Sequence, residues 1–184
     1  MIMKLYHTAF LILKEPDIRH GRKNADFAQG FYTSPQKEFC LRWATEKAGC
    51  STWINEYELD TEDLNIVTLK RDEDWFTYLW DNRRLKEDRY QDADVIIGPI
   101  ANDTIYDTFG INTSGFLTVE QSLAMLKKGP EYLQAAIKSE KAASHLKWIS
   151  AKELSSEEIR QSRASVLKEQ EAYQTEIARL FETF

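Results

Sequence analysis

The sequence predicts an α+β fold of about six short strands and scattered helices, closed by one long helix. Three observations carry this. Runs such as KLYHTAFLIL (Lys4–Leu13) and ADVIIGPI (Ala93–Ile100) are rich in β-branched and aromatic residues and bounded by turn residues, which suits strands. Segments such as DEDWFTYLWDNRRL (Asp72–Leu85) place Trp75, Phe76, Leu79 and Trp80 at helical spacing. From Ser155 onward the chain has no glycine or proline, and Ile159, Val166, Tyr173, Ile177 and Leu180 form a repeating apolar stripe.

Element by element, the first strand ends before Glu15-Pro16, and a polar, turn-rich loop follows through Asp26. GFYTS (Gly30–Ser34) reads as a short strand. Ser34 is placed to cap the next helix, with Pro35 at its first position and Glu38 completing a capping-box pattern. Phe39 and Trp43 mark that helix's apolar stripe, and Gly49 ends it. STWINEYELD and LNIVTLK are strands. ADVIIGPI is continuously apolar, as a buried strand requires. LTVEQSLAMLKKG is a helix capped by Thr118, with Leu123 and Leu126 inward, and PEYLQAAIKS is a strand. SEKAASHLKWI reads as a helix start. The stretch divides as residues 1–152, one domain, and residues 153–184, a C-terminal amphipathic helix. An amphipathic helix of this length is marginal alone in water, so its stripe is expected to bury against a second copy of the chain or a partner protein.

Composition excludes several classes. At 184 residues and 42% hydrophobic, the chain can build a real core. A net charge of -6 gives no basic footprint for nucleic acid or an acidic membrane. No segment is long and apolar enough to span a bilayer. Cys40 and Cys50 give no disulfide framework, and His7, His20 and His145 show no metal-ligand spacing with them, so no metal is expected. The expected compartment is the cytoplasm, although a secreted effector without a cleaved leader has the same composition. The phosphate-binding signatures GxGxxG and GxxxxGK[ST] are absent, as are GxSxG and HExxH.

Gly30 stands directly before Phe31-Tyr32, and a glycine beside adjacent aromatics suggests close backbone approach by a strand or a ligand. Taken alone, His7 suits a core histidine and Tyr32 a core or edge aromatic. Asn102 or Asp103 suits a helix N-cap, Gln134 an exposed strand residue, and RRLKEDR a solvated face.

Three ordered pieces change the weighting. They are LYHTAF, then GRKNADFAQGFYTSPQKEFCLRWA, then DADVIIGPIANDTIYDTF followed by TVEQSLAMLKKGPEYLQAAIKSEKAASHLKWI. In order and content they resemble an uncharacterised bacterial family of the ADP-ribosyltransferase superfamily, over roughly residues 4–150. Its pattern is Tyr-His-Gly on a first strand, an Arg, Asp-Phe-Gly-x-Gly-Phe-Tyr-x-Thr, Trp-Ala, Gly-Pro-(Val/Ile)-Ala-(Asp/Asn)-Asp, and a late Gln-containing strand. Thr8 stands where the family carries the glycine after the histidine, and Ala28 where it carries the glycine after the phenylalanine.

The resemblance implies a split two-sheet fold with NAD, as substrate, in the cleft between the sheets. It implies His7 on the ribose, Tyr32 stacked on nicotinamide, and Gln134 at the position of the third catalytic residue. Asp103 is the nearest motif acid, with Glu120 and Glu131 as weaker candidates. Tyr6, Thr8, Asp26, Phe27, Gly30, Phe31 and Asn102 would line or shape the NAD site, and Arg22 would meet the pyrophosphate. The implied activity is transfer of ADP-ribose to an unknown acceptor, in a toxin or a regulator. The alternatives are an NAD glycohydrolase and a non-catalytic NAD-binding or protein-interaction module.

Overall fold

The computed structural model describes residues 1–101 and 118–182. Among them, the chain is α+β with two sheets and a long C-terminal helix. The first sheet joins β1 (Ile2–Ala9), β3 (Trp53–Asp60) and β7 (Leu146–Glu153), in the order β1-β3-β7 and antiparallel throughout. The second joins β2 (Phe31–Thr33), β6 (Leu133–Ile137), β5 (Val95–Pro99) and β4 (Ile66–Thr68), in the order β2-β6-β5-β4. Only its β4–β5 pairing is parallel. The two sheets touch edge to edge at one bridge, where Tyr6 and Ser34 exchange both backbone hydrogen bonds.

The helices are α1 (Lys37–Leu41), α2 (Glu73–Arg83), α3 (Val119–Leu126), α4 (Glu140–Ser144) and α5 (Ser156–Phe181). Side chains start four of them, Ser139 accepting from Ala142 N–H at α4. Asp72 accepts from Trp75 N–H at α2, while Thr118 with Gln121 and Ser155 with Glu158 close capping boxes at α3 and α5. None of the helices described is long and apolar enough to cross a membrane.

β5 is buried along its whole length, as its unbroken apolar run requires. One face of the second sheet packs on α2, where Phe27, Trp75, Leu79 and Ile96 share a core with Tyr173 and Ile177 of α5. The other face closes against the first sheet through Leu5, Phe31, Tyr57, Val95 and Ile137.

Four expectations are corrected. The helix read from Pro35 to Gly49 lasts only from Lys37 to Leu41. Its end tightens because Arg42, Trp43 and Ala44 donate three residues back, and Gly49, at φ +74°, turns a Lys47–Cys50 bridge instead of ending a helix. Ser34 does not cap it. The N-cap is Gln36, and its side-chain oxygen is taken by Leu133 N–H of β6, while the Ser34 hydroxyl donates to the Leu133 carbonyl. The helix read at SEKAASHLKWI is one short turn, and Leu146–Glu153 is a seventh strand at the edge of the first sheet.

The fourth correction concerns α5. Ile159, Tyr173 and Ile177 are buried, and Leu180 packs at the edge of the core they help to form. Three of the five stripe residues are thus buried by this chain's own domain, with Leu180 at the core edge and Val166 half-buried on a cavity wall, so those three need no second copy or partner to cover them. A boundary at residue 152 does not separate two cores.

Candidate functional site

The site begins with the alternation of β1. Leu5 and His7 share one face of the strand, and Leu5 anchors it in the core at 0% exposure. His7 follows onto Phe31, with ring centroids 4.6 Å apart. Its Nδ1 lies 2.7 Å from the Tyr32 carbonyl. A carbonyl only accepts, so Nδ1 carries the proton and Nε2 is the unprotonated, accepting nitrogen. Burial lowers the His7 pKa below its ordinary value and outweighs the opposing hydrogen bond, which keeps the ring neutral.

The backbone of β1 adds a second feature. Tyr6 spends both its backbone groups on Ser34 of β2. Antiparallel strands present these groups on alternate sides, so Thr8 points its N–H and C=O from the same edge, one step past the bridge. The Thr8 side chain is occupied, donating to the Cys40 carbonyl at 2.6 Å.

Across the gap stands Tyr32 on β2. Its hydroxyl accepts from Phe27 N–H at 2.8 Å and donates to the Ala28 carbonyl at 2.7 Å, fixing the turn that precedes the strand. Burial, reinforced by the Asp26 charge, pushes its pKa well above the ordinary value. Ala28 sits in that turn at φ 60°, in the left-handed region. Next in the second sheet comes Gln134 on β6, opposite Gly98 of β5. Its amide makes no hydrogen bond to the described residues.

These parts meet in one cleft of about 410 Å³, lined by His7, Thr8, Arg22, Asp26, Tyr32 and Gln134. Six residues read from four separated stretches therefore share one wall, with β1 of the first sheet facing β2 and β6 of the second. Its size lies within the usual range for small-molecule sites.

The other candidates lie elsewhere. Tyr6 faces Lys37, whose ammonium sits 5.9 Å from its ring centroid. Phe27 and Phe31 are core residues behind the cleft. Gly30 answers to a strand: a Cβ there would stand 2.7 Å from the Ile137 carbonyl oxygen of β6. Glu120 and Glu131 are exposed and do not line the cleft. Asn102 and Asp103 lie outside the described residues.

Five wall residues were not read from the sequence as site residues: Ala25, Trp43, Arg83, Ile100 and Ala101. Arg83 Nε donates to Asp26 Oδ1 at 2.6 Å, and Asn82 holds the Asp26 carbonyl, so α2 clamps the loop carrying Arg22 and Asp26. The pattern RRLKEDR held Arg83 as one cation among many, and only the fold turns it inward. Among the described residues no cluster of His, Cys, Asp and Glu could hold a metal ion.

No curated protein matches this chain in sequence. Residues 3–148 match the model of a family described as "Protein of unknown function (DUF3990)". The match takes in both sheets apart from the last residues of β7 and the first of β1, together with every candidate residue, and stops short of α5. It spans well over half of the chain, which therefore belongs to the DUF3990 family.

Proposed function

We propose that the cleft binds NAD and transfers its ADP-ribose to an acceptor, releasing nicotinamide, within an ADP-ribosyltransferase-like fold. The observation that carries this reading is the convergence of His7, Thr8, Arg22, Tyr32 and Gln134 on one cleft between two sheets. Their order and motif content support the superfamily resemblance, and the pairing of β2 with β6 and the Tyr6–Ser34 bridge bring them to one place.

In this reading the bond between ribose C1′ and the nicotinamide nitrogen breaks, and its electron pair leaves with the ring as neutral nicotinamide. A lone pair of the acceptor forms the new bond to C1′, and the acceptor gives up its proton to solvent water. The state between resembles an oxocarbenium ion, so gripping and orienting count for more than proton transfer. Neutral His7 accepts a ribose hydroxyl at Nε2. The ring of Tyr32 stacks on nicotinamide, while its hydroxyl stays bound to the preceding turn. The free backbone edge at Thr8 suits the carboxamide, the Gln134 amide suits a ribose hydroxyl, and Arg22 suits the pyrophosphate.

A second reading, NAD binding without turnover, is favoured by one observation. Among the described residues the only carboxylate on the cleft wall is Asp26, which is held by Arg83. An unpaired carboxylate to offset the oxocarbenium charge is not among them. Calorimetric titration with NAD tests the shared premise. Wild-type protein binds, and His7→Ala and Tyr32→Ala each weaken binding by roughly tenfold or more while folding normally. Equal affinity in either variant removes that residue from the site.

A further inference from the structure

A second cavity, of about 230 Å³, adjoins the cleft, with Trp43, Ile100 and Ala101 lining both. Trp43 stands between them with 41% of its surface exposed and its ring held edge-on against Phe39, 4.4 Å between centroids. A ligand in one space therefore reaches the other across an aromatic wall.

The charged groups around this second cavity are unequally matched. Arg42 forms an ion pair with Glu169, lies over the Tyr132 ring at 4.6 Å, and shares the Tyr132 hydroxyl with that carboxylate. Lys128 pairs with Glu176 at 3.4 Å, in a contact well exposed to water. Arg71 has no such partner. Its terminal nitrogens reach only the carbonyls of Lys127, Gly129 and Pro130, and its buried Nε has no hydrogen bond at all. Glu131 acts on it through its charge, but no carboxylate lies within ion-pair distance among the described residues. Burial lowers the Arg71 pKa, yet a guanidinium stays charged. A cation partly withdrawn from water, without a carboxylate partner and with an unused N–H, is suited to an anion.

From a guanidinium that no carboxylate pairs and whose Nε–H is unused, beside an aromatic wall, we infer that this cavity is an anion subsite holding a carboxylate or phosphate group of a second substrate, separate from the cleft that holds His7 and Tyr32. Calling that substrate the ADP-ribose acceptor rests on the function proposed above; the anion site itself does not. Arg71 supplies the charge and the donors, Lys128 adds long-range attraction at the rim, and Trp43 and Tyr132 give flat surface to the body of the molecule. The acceptor class is then one whose anionic group sits a short distance from the atom modified.

The test follows the side-chain Nε–H signal of Arg71 by NMR, assigned with Arg71→Lys, during separate titrations with inorganic phosphate and with acetate. A saturable shift at millimolar concentration with phosphate alone points to a phosphorylated acceptor, and with acetate alone to a carboxylate-bearing one. Lys128→Gln, at a partly exposed position, lowers that affinity roughly three- to tenfold without disturbing the fold. Arg71→Lys, which keeps charge but loses the planar fork, lowers it about tenfold, read in that variant from the indole N–H signal of Trp43 on the cavity wall. Saturating NAD leaves the anion affinity unchanged. No saturable shift with either anion overturns the inference, as does competition between NAD and phosphate, which would make the two spaces one site. The probes need no NAD, so failure of NAD binding would refute the proposed function and leave this result readable.

Discussion

Replacing Tyr32 by Phe separates what the hydroxyl does from what the ring does. The hydroxyl makes two hydrogen bonds, accepting from Phe27 N–H at 2.8 Å and donating to the Ala28 carbonyl at 2.7 Å. Each contributes about 1 kcal/mol net, so losing both costs about 2 kcal/mol. A chain of this size moves about 2–4 °C in Tm per kcal/mol, so Tm falls roughly 4–8 °C. The ring stays, with Phe27 near-parallel to it at 6.3 Å between centroids, so any stacking on nicotinamide survives. Thermal unfolding followed by circular dichroism, with nicotinamide release assayed well below Tm, reads both parts. A Tm within 1 °C of wild type would refute the stabilising role of the hydroxyl (roughly, on the same scale). A normal Tm drop with abolished release would refute the assignment of the ring as the working group.

Ala28→Gly relieves the left-handed backbone at φ 60°, a gain of about 1–2 kcal/mol less the extra chain entropy of glycine at about 0.5–1 kcal/mol. Tm should rise by a degree or more on thermal melting, and a fall would show that the Ala28 methyl is held by contacts that outweigh its strain. His7 has a folded pKa below its unfolded value, so its stabilising contribution is complete above about pH 6.5 and is lost as pH falls from there toward the folded pKa. Urea unfolding at pH 7.5 and 5.5 should show a larger loss of stability for wild type than for His7→Asn; parallel losses would contradict the buried neutral ring. Truncation after Glu153 removes Ile159, Tyr173 and Ile177 from the core, about 6 kcal/mol of burial, comparable with the whole stability of a typical domain. The truncated chain should lack a cooperative melt, whereas a folded fragment would show α5 to be dispensable.

The sequence revealed elements wherever one local rule decided the outcome. The unbroken apolar run of Val95–Pro99 and the Thr118 cap are visible in a window of a few residues. Leu146–Glu153 escaped because it is an edge strand with lysines at 147 and 152 and mostly exposed side chains, so neither alternation nor apolarity marks it. The helix after Pro35 was read too long because Gln36 and Arg42 spend their side chains on Leu133 and Glu169, partners about 100 residues away or more. Gly30 signalled a close approach correctly, but which backbone approaches depends on β2 pairing with β6. The cleft was legible in part: six of its wall residues were site candidates, Trp43, Ile100 and Ala101 stood in motifs without being read as site residues, and Arg83 and the neighbouring cavity around Arg71 arise only from packing.

The most direct test of the central claim is nicotinamide release from NAD, followed by chromatography, for the full chain and for His7→Ala, with folding of both confirmed by thermal melting. The account predicts time-dependent release by wild type, slow with water as acceptor, and none above background from the variant at matched fold. Release that is equal in the two proteins, or NAD that stays intact with wild type whatever acceptor is supplied, would contradict it.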